Sequence, residues 1–335
     1  MTSLMRKRPI FLLVTFYLLL SLNPSVPEAA SPLTRVVITF AGFSEKEGVL
    51  FITSDQGFFQ KYGLDVKLVH VRTGSVGMSA IAGGESHLHV GSATGTTFGA
   101  IAGGLDVVFI AGLVNKLAGT FVVNPAIKGP SDLKGRNIGV QSMGGGVWMY
   151  TLLAFDHWGL DLKRDKITFR VIGDESVRAQ SIATGVIDGS YLGYTFASAL
   201  ERQGFRILAD LAKLGIPYQN TGVVARRSFI NSSPDIIEKV LRALVEAIGF
   251  VKEPTNRDAT MKSLAKGLHL PRVEDAAEGY ELIKILFDRR IYPSVDGIRN
   301  TIRLLGTTSE KIRNLKAEEM VDDRFVKKLE QQGLF

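Results

Sequence analysis

From residue 75 the chain reads SVGMSAIAGGESHLHVGSAT (75–94), and from residue 176 it reads SVRAQSIATGVIDGSYLGYT (176–195). At a constant offset of 101, Ser75, Val76, Ile81, Ala82, Gly84 and Thr94 meet Ser176, Val177, Ile182, Ala183, Gly185 and Thr195, six identities in twenty positions. The offset carries outwards: the apolar run 36–40 falls on 137–141, and 107–111 falls on 208–212. A Gly-Leu-Asp triplet closes a helical stretch in both halves, at 63–65 and 159–161; its offset is 96, and 163–166 supply the residues that restore the register. This self-similarity predicts two copies of one α/β unit.

Each copy alternates strand and helix signals. The first has a β-branched run at 36–40, then a helix over 49–62 whose apolar face is Val49, Leu50, Ile52, Phe58, Phe59 and Tyr62, closed by Gly63. A strand at 66–71 follows, then a helix opened by Ser75 and closed by Gly83 and Gly84, a strand at 88–91, a helix ending at Gly103 and Gly104, and a strand at 106–112. The second copy starts near Ser131, with a strand at 137–140 and a helix over 147–158. Such alternation specifies a largely parallel sheet with helices on its faces. Short β-rich segments at 119–124 and 221–225 flank the second unit, so the chain enters it and returns. Two crossings make a hinge. From Ser233, Pro234 and Asp235, an N-cap, a first-turn proline and a dipole-favouring acid, the remainder reads as helices that pack on the first unit.

Residues 1–30 read as an export signal. Arg6, Lys7 and Arg8 precede an uncharged apolar run at 10–20, short for a membrane span, with small residues Ala29 and Ala30 near a cleavage point. An uncleaved anchor is the alternative. Removing this leader leaves 37 basic against 32 acidic residues, near +5. No run of Lys and Arg interleaves with aromatics, so no nucleic-acid partner is expected. The chain has no cysteine, which excludes lipidation after processing and a disulfide framework. An apolar fraction of 45% leaves material for a core in each of two lobes.

These residues resemble a known family. The leader, the paired α/β units, the double crossing and the motif Asp132-Leu133-Lys134-Gly135-Arg136-Asn137-Ile138-Gly139 are similar to periplasmic substrate-binding proteins of ABC importers, most closely the nitrate, sulfonate and taurine group related to thiamine-pyrimidine precursor proteins. Gly57, Phe58, Phe59, Tyr62, Gly63, Leu64 and Val66 match its early pattern, as does the element from Gly185 to Gly189. The resemblance implies a two-lobed α/β fold of the type II periplasmic-binding class, each lobe a mixed, mostly parallel sheet in the order 2-1-3-n-4 flanked by helices. It implies a ligand held between lobes that close on it. The division expected is a signal peptide at 1–30, the first lobe at 31–118 and 223–335, and the second at 119–222, with hinge crossings near 113–124 and 217–225. One departure is His87, where the family often carries the acid found at Asp188 in the second copy.

Ligands of parallel α/β sheets sit beyond the carboxyl ends of the strands, where loops enter helix N-termini that can hold an oxyanion. The first lobe offers Ser44 and Lys46, Gly74 and Ser75, and Ser92, Ala93 and Thr94; the second offers Ser142, Met143, Gly144, Gly145 and Gly146, then Glu175, and Tyr191 and Tyr194. The triple glycine lets backbone amides approach a ligand, and lacks the Lys and Ser or Thr of a nucleotide loop. Asn115 and Tyr218 lie at the crossings and are expected to reach the cleft; Trp148 reads as core. Glu45, Asp174 and Glu175 would favour an amine if turned inward. His87 and His89 share a strand face without completing a metal set, so neither metal nor cofactor is expected. The expectation is a monomeric, non-catalytic receptor for a small anionic or zwitterionic molecule, working with permease subunits. An enzyme of the same fold acting on a pyrimidine or vitamin precursor, and a ligand-sensing subunit, remain as alternatives.

Overall fold

The run TRVVITF forms strand β1 (Thr34–Phe40), with Val36, Ile38 and Phe40 buried on alternate positions. This computed structural model describes Thr2 and residues 32–335; apart from Thr2, the leader expected at 1–30 lies outside the described residues. One unit covers Leu33–Phe335. Beside β1 lie β2 (Leu64–His70) and β3 (Leu88–Gly91), both parallel to it. The sheet continues to β4 (Val107–Lys116) through a strand that arrives from far along the chain. A second sheet is built from β5 (Thr120–Val123), β6 (Asn137–Val140), β7 (Thr168–Val171), β8 (Gly189–Leu192) and β9 (Arg206–Asp210), and the chain then returns as β10 (Pro217–Arg226). The orders are β2-β1-β3-β10-β4 and β7-β6-β8-β5-β9.

Both sheets therefore share one order, 2-1-3-n-4, with the n strand antiparallel to its neighbours and supplied by a crossing segment. The fold is the two-lobed mixed α/β architecture that the resemblance implied. Helices follow the same repeat. After β1 come α1 (Gly48–Asp55) and α2 (Phe58–Lys61), after β2 comes α3 (Gly74–Gly83), and after β3 comes α4 (Gly95–Ala102). Their counterparts are α5 (Gly146–His157), α6 (Glu175–Ala183) and α7 (Tyr194–Glu201). The single helix expected over 49–62 is two, because Gly57 adopts φ 75° and turns the chain between them. Ser75 does not cap α3; Thr73 does, accepting a hydrogen bond from the Val76 amide.

His87 and Asp188 do the same work in different chemistry. Asp188 accepts from the Asn137 amide at the start of β6 at 2.8 Å, and His87 accepts through Nδ1 from the Val37 amide midway along β1 at 3.0 Å, each tying the approach to β8 or β3 to the neighbouring strand. The departure at His87 thus keeps the contact.

Helix Pro234–Lys252 buries Ile237, Val240, Leu241, Leu244, Ile248 and Val251, a stripe at helical spacing that joins the core of the first sheet. A second core runs from α3 and α4 through the crossings at Leu117, Phe121, Ile216 and Tyr218 to α5. No helix among the described residues is long and apolar enough to cross a membrane.

Candidate functional site

Four consecutive polar residues after β1, Ser44, Glu45, Lys46 and Glu47, are all buried, which is costly unless each finds a partner. Glu47 folds back on Ser44, accepting from its amide at 3.2 Å and its hydroxyl at 3.1 Å. Gly42 permits this, since any Cβ there would strike the Glu47 carboxylate. Lys46 is different. Its Nζ lies 3.8 Å from Glu47 and stands over the rings of Tyr150 and Tyr191 at 5.0 and 5.6 Å, with no hydrogen-bond partner among the described residues. Burial opposes its charge, but Glu47 first, then the Tyr150, Tyr191 and Glu175 side chains, more than offset it and hold the ammonium pKa well above the ordinary lysine value.

Lys46 forms part of the wall of a cavity of about 390 Å³ between the lobes. The first lobe contributes Gly42, Phe43, His70, Leu268 and His269; the second contributes Gln141, Val147, Asp174, Glu175, Arg178, Tyr191 and Phe196. Arg178 is 2% exposed. It donates to the Gly173 carbonyl at 2.5 Å, while its Nε is buried without a partner among the described residues. The register explains why one lobe carries this cation. Arg178 falls on Gly77 at the offset of 101, and Gly77 is bare because the His89 ring fills its place. Burial drives the His89 pKa down to about 4, so this imidazole is neutral packing.

The N-terminus of α7 already holds two carboxylates. Glu45, reaching across from the first lobe, accepts from the Thr195 amide at 3.0 Å and from its hydroxyl; Glu175 accepts from the Gly193 amide. Each has an oxygen 2.9 Å from where a Cβ on Gly193 would stand. Burial, with Glu45 alongside, pushes the Glu175 pKa up to about 7, against Arg178, the Gly193 amide and Lys46. The helix dipole expected to receive a ligand oxyanion is answered by the chain itself.

The sequence-predicted residues divide into four groups. Lys46, Glu175 and Tyr191 line the main cavity. Gly74, Ser92, Thr94, Ser142, Gly145 and Gly146 surround a polar chamber of about 50 Å³ beside it, where the Ser92 and Tyr150 hydroxyls meet at 2.8 Å. Ser44 and Tyr194 face a smaller crevice of about 10 Å³ shared with Lys46 and Tyr191. The remainder lie elsewhere. Tyr218 is fully buried and donates to the Ala93 carbonyl, and Ala93 is buried with it. Asn115 donates to the Tyr292 carbonyl, Ser75 bonds Thr73, and Met143 is 57% exposed. Gly144 presents its carbonyl, not its amide, to the opposite lobe, accepting from the Thr96 amide at 2.9 Å and hydroxyl at 3.1 Å. The glycine loop is thus a contact between lobes. Sequence reasoning missed Arg178, Phe43, His70, Phe196 and His269; for Arg178 the available signal was a cation standing where the other copy has glycine.

The sequence profile described as NMT1/THI5 like matches residues 47–256. Three solved structures share the fold. The alkanesulfonate-binding protein SsuA from Xanthomonas axonopodis pv. citri, bound to MOPS, is 20% identical with a TM-score of 0.68, covering 88% of this chain and 100% of that one. The periplasmic nitrate-binding protein NrtA from Synechocystis PCC 6803 is 13% identical with a TM-score of 0.74, covering 90% and 89%. The periplasmic aliphatic sulphonate binding protein SsuA from Escherichia coli is 22% identical with a TM-score of 0.61, covering 75% and 84%. No curated protein matches the sequence.

Proposed function

Since the chain belongs to the NMT1/THI5-like family, we propose that it is a periplasmic solute-binding protein that holds a small organic anion or zwitterion between its lobes and delivers it to an ABC permease. One observation carries this reading: the buried Lys46 ammonium, free of hydrogen-bond partners among the described residues, shares a cavity with Arg178 of the opposite lobe. An anion touching both cations would couple binding to closure, because only the closed form offers both. A cavity of about 390 Å³ has the volume of roughly a dozen waters, which favours an organic molecule over a bare inorganic oxyanion. Glu175 and Asp174 on the same wall would suit an amine on the same molecule.

In this reading the leader at 1–30 directs export, the lobes comprise 31–118 with 223–335 and 119–222, and the protein hinges near 113–124 and 217–225 as a monomer. Small-angle scattering is the test. A panel of organic sulfonates, carboxylates and amino acids should contain a molecule that reduces the radius of gyration, whereas no compaction across the panel counts against the proposal. Glu175, with a pKa of about 7 beside the cavity, favours a second reading as an acid-base enzyme of this fold. Following the bound molecule by NMR separates the two: the receptor returns it unchanged, and the enzyme does not.

A further inference from the structure

We propose that the bound molecule is longer than the interlobe cavity and runs over an aromatic sill into a second groove, which makes it an organic anion with an extended apolar tail. This rests on the reading of the cavity as an anion site. Phe43, His70 and His269 line both the cavity and a groove of about 550 Å³ on the first lobe. The Phe43 ring lies beside both imidazoles, 5.2 Å from His70 and 5.3 Å from His269 between centroids. His269 adopts φ 54°, a left-handed conformation uncommon outside glycine, just after helix Arg257–Gly267. It is the Schellman cap of that helix, the His269 amide donating to the Lys266 carbonyl at 3.3 Å and the Leu270 amide to the Ala265 carbonyl at 2.9 Å, and it sets the imidazole against Phe43.

Beyond the sill the wall is apolar. Phe40, Phe51 and Leu68 form it, and Gly267 lets the Phe51 ring pack against its backbone, since any Cβ there would strike that ring. The far rim is polar: Asp55 accepts from the Ser263 hydroxyl at 2.7 Å and pairs with Lys266. From the cleft outward the order is cations, aromatic rings, apolar wall and polar rim. A compact oxyanion would use the first of these alone, whereas an anionic head with an apolar body would use the series.

Fluorescence titration with the n-alkanesulfonates from ethanesulfonate to octanesulfonate tests this. Affinity should rise roughly fourfold for each methylene that reaches the groove. Leu68→Trp and Ser54→Trp both fill the groove from positions outside the head site. Each should leave ethanesulfonate affinity unchanged and cancel the gain of octanesulfonate. Ser54 sits on the partly exposed side of α1, so its variant decides the matter if the Leu68 variant does not fold. Ethanesulfonate binding with no gain along the series, or a gain that survives both substitutions, overturns the tail groove and leaves the anion site standing. Absence of binding at every chain length overturns the anion site itself, and the groove with it.

Discussion

At Lys46 a full charge is buried beside another, and removing one partner of such a pair strands the other. Lys46→Met should therefore lower stability by roughly 3 kcal/mol, because Glu47 is left charged and buried. Lys46→Met with Glu47→Gln should recover the melting temperature, since glutamine still accepts from Ser44, yet should not recover anion binding. Thermal melts beside ligand titrations separate these effects. Glu175 makes a pH prediction. Its carboxyl keeps in the folded state a proton that the unfolded chain releases, so its contribution is full below the ordinary value of 4.5 and is lost as pH rises through about 7. Glu175→Gln should match wild type in acid and exceed it above neutrality by about 1 kcal/mol, the half-buried side chain being partly screened. Anion affinity should fall above neutrality in the wild type and stay level in the variant. At this scale the sequence was least informative. Tyr218 and Tyr191 both stand in or beside β-rich runs, yet one hydroxyl serves Ala93 in the core and the other ring faces the cavity. Nothing local in the sequence marks Arg178 as turned inward rather than outward from α6.

Among the elements, α3 and α6, and β3 and β8, correspond at the offset of 101 without insertion, while α4 and α7 start 99 residues apart. This is why the repeat was legible before the sheets were: strand and helix periods, glycine stops and β-branched runs are local properties, and they survive duplication. Contacts between the copies are not local. The N-terminus of α7 is held by Glu45 of the other lobe, and that of α4 meets the Gly144 carbonyl. Glu45→Ala should free the Thr195 amide and remove a contact that exists only between closed lobes, costing about 1 kcal/mol of the closed form. Pulsed electron-electron distance measurements between spin labels on the two lobes would register a larger open population. An unchanged distance distribution would assign Glu45 to local packing.

For the whole molecule, two sheets of one order are joined by two crossings, with one cation from each lobe at the cavity between them. Trp148 lies next to Gly95 of α4, across the lobes, whereas Trp158 packs on Phe121 within the second lobe. In a Trp158→Phe background, ligand addition should therefore shift the Trp148 emission as the lobes move. The paired α/β units were readable in the sequence because each repeats one pattern, and their strand order followed from the family resemblance; the ligand was not readable, because it depends on which few side chains meet across a gap. The most direct measurement is calorimetric titration of organic sulfonates, carboxylates and zwitterions into the wild type and into the Lys46→Met, Glu47→Gln double variant. At least one compound should bind the wild type and lose about tenfold or more in the stable double variant. Binding that ignores the loss of Lys46, or no binding across the series, would contradict the account.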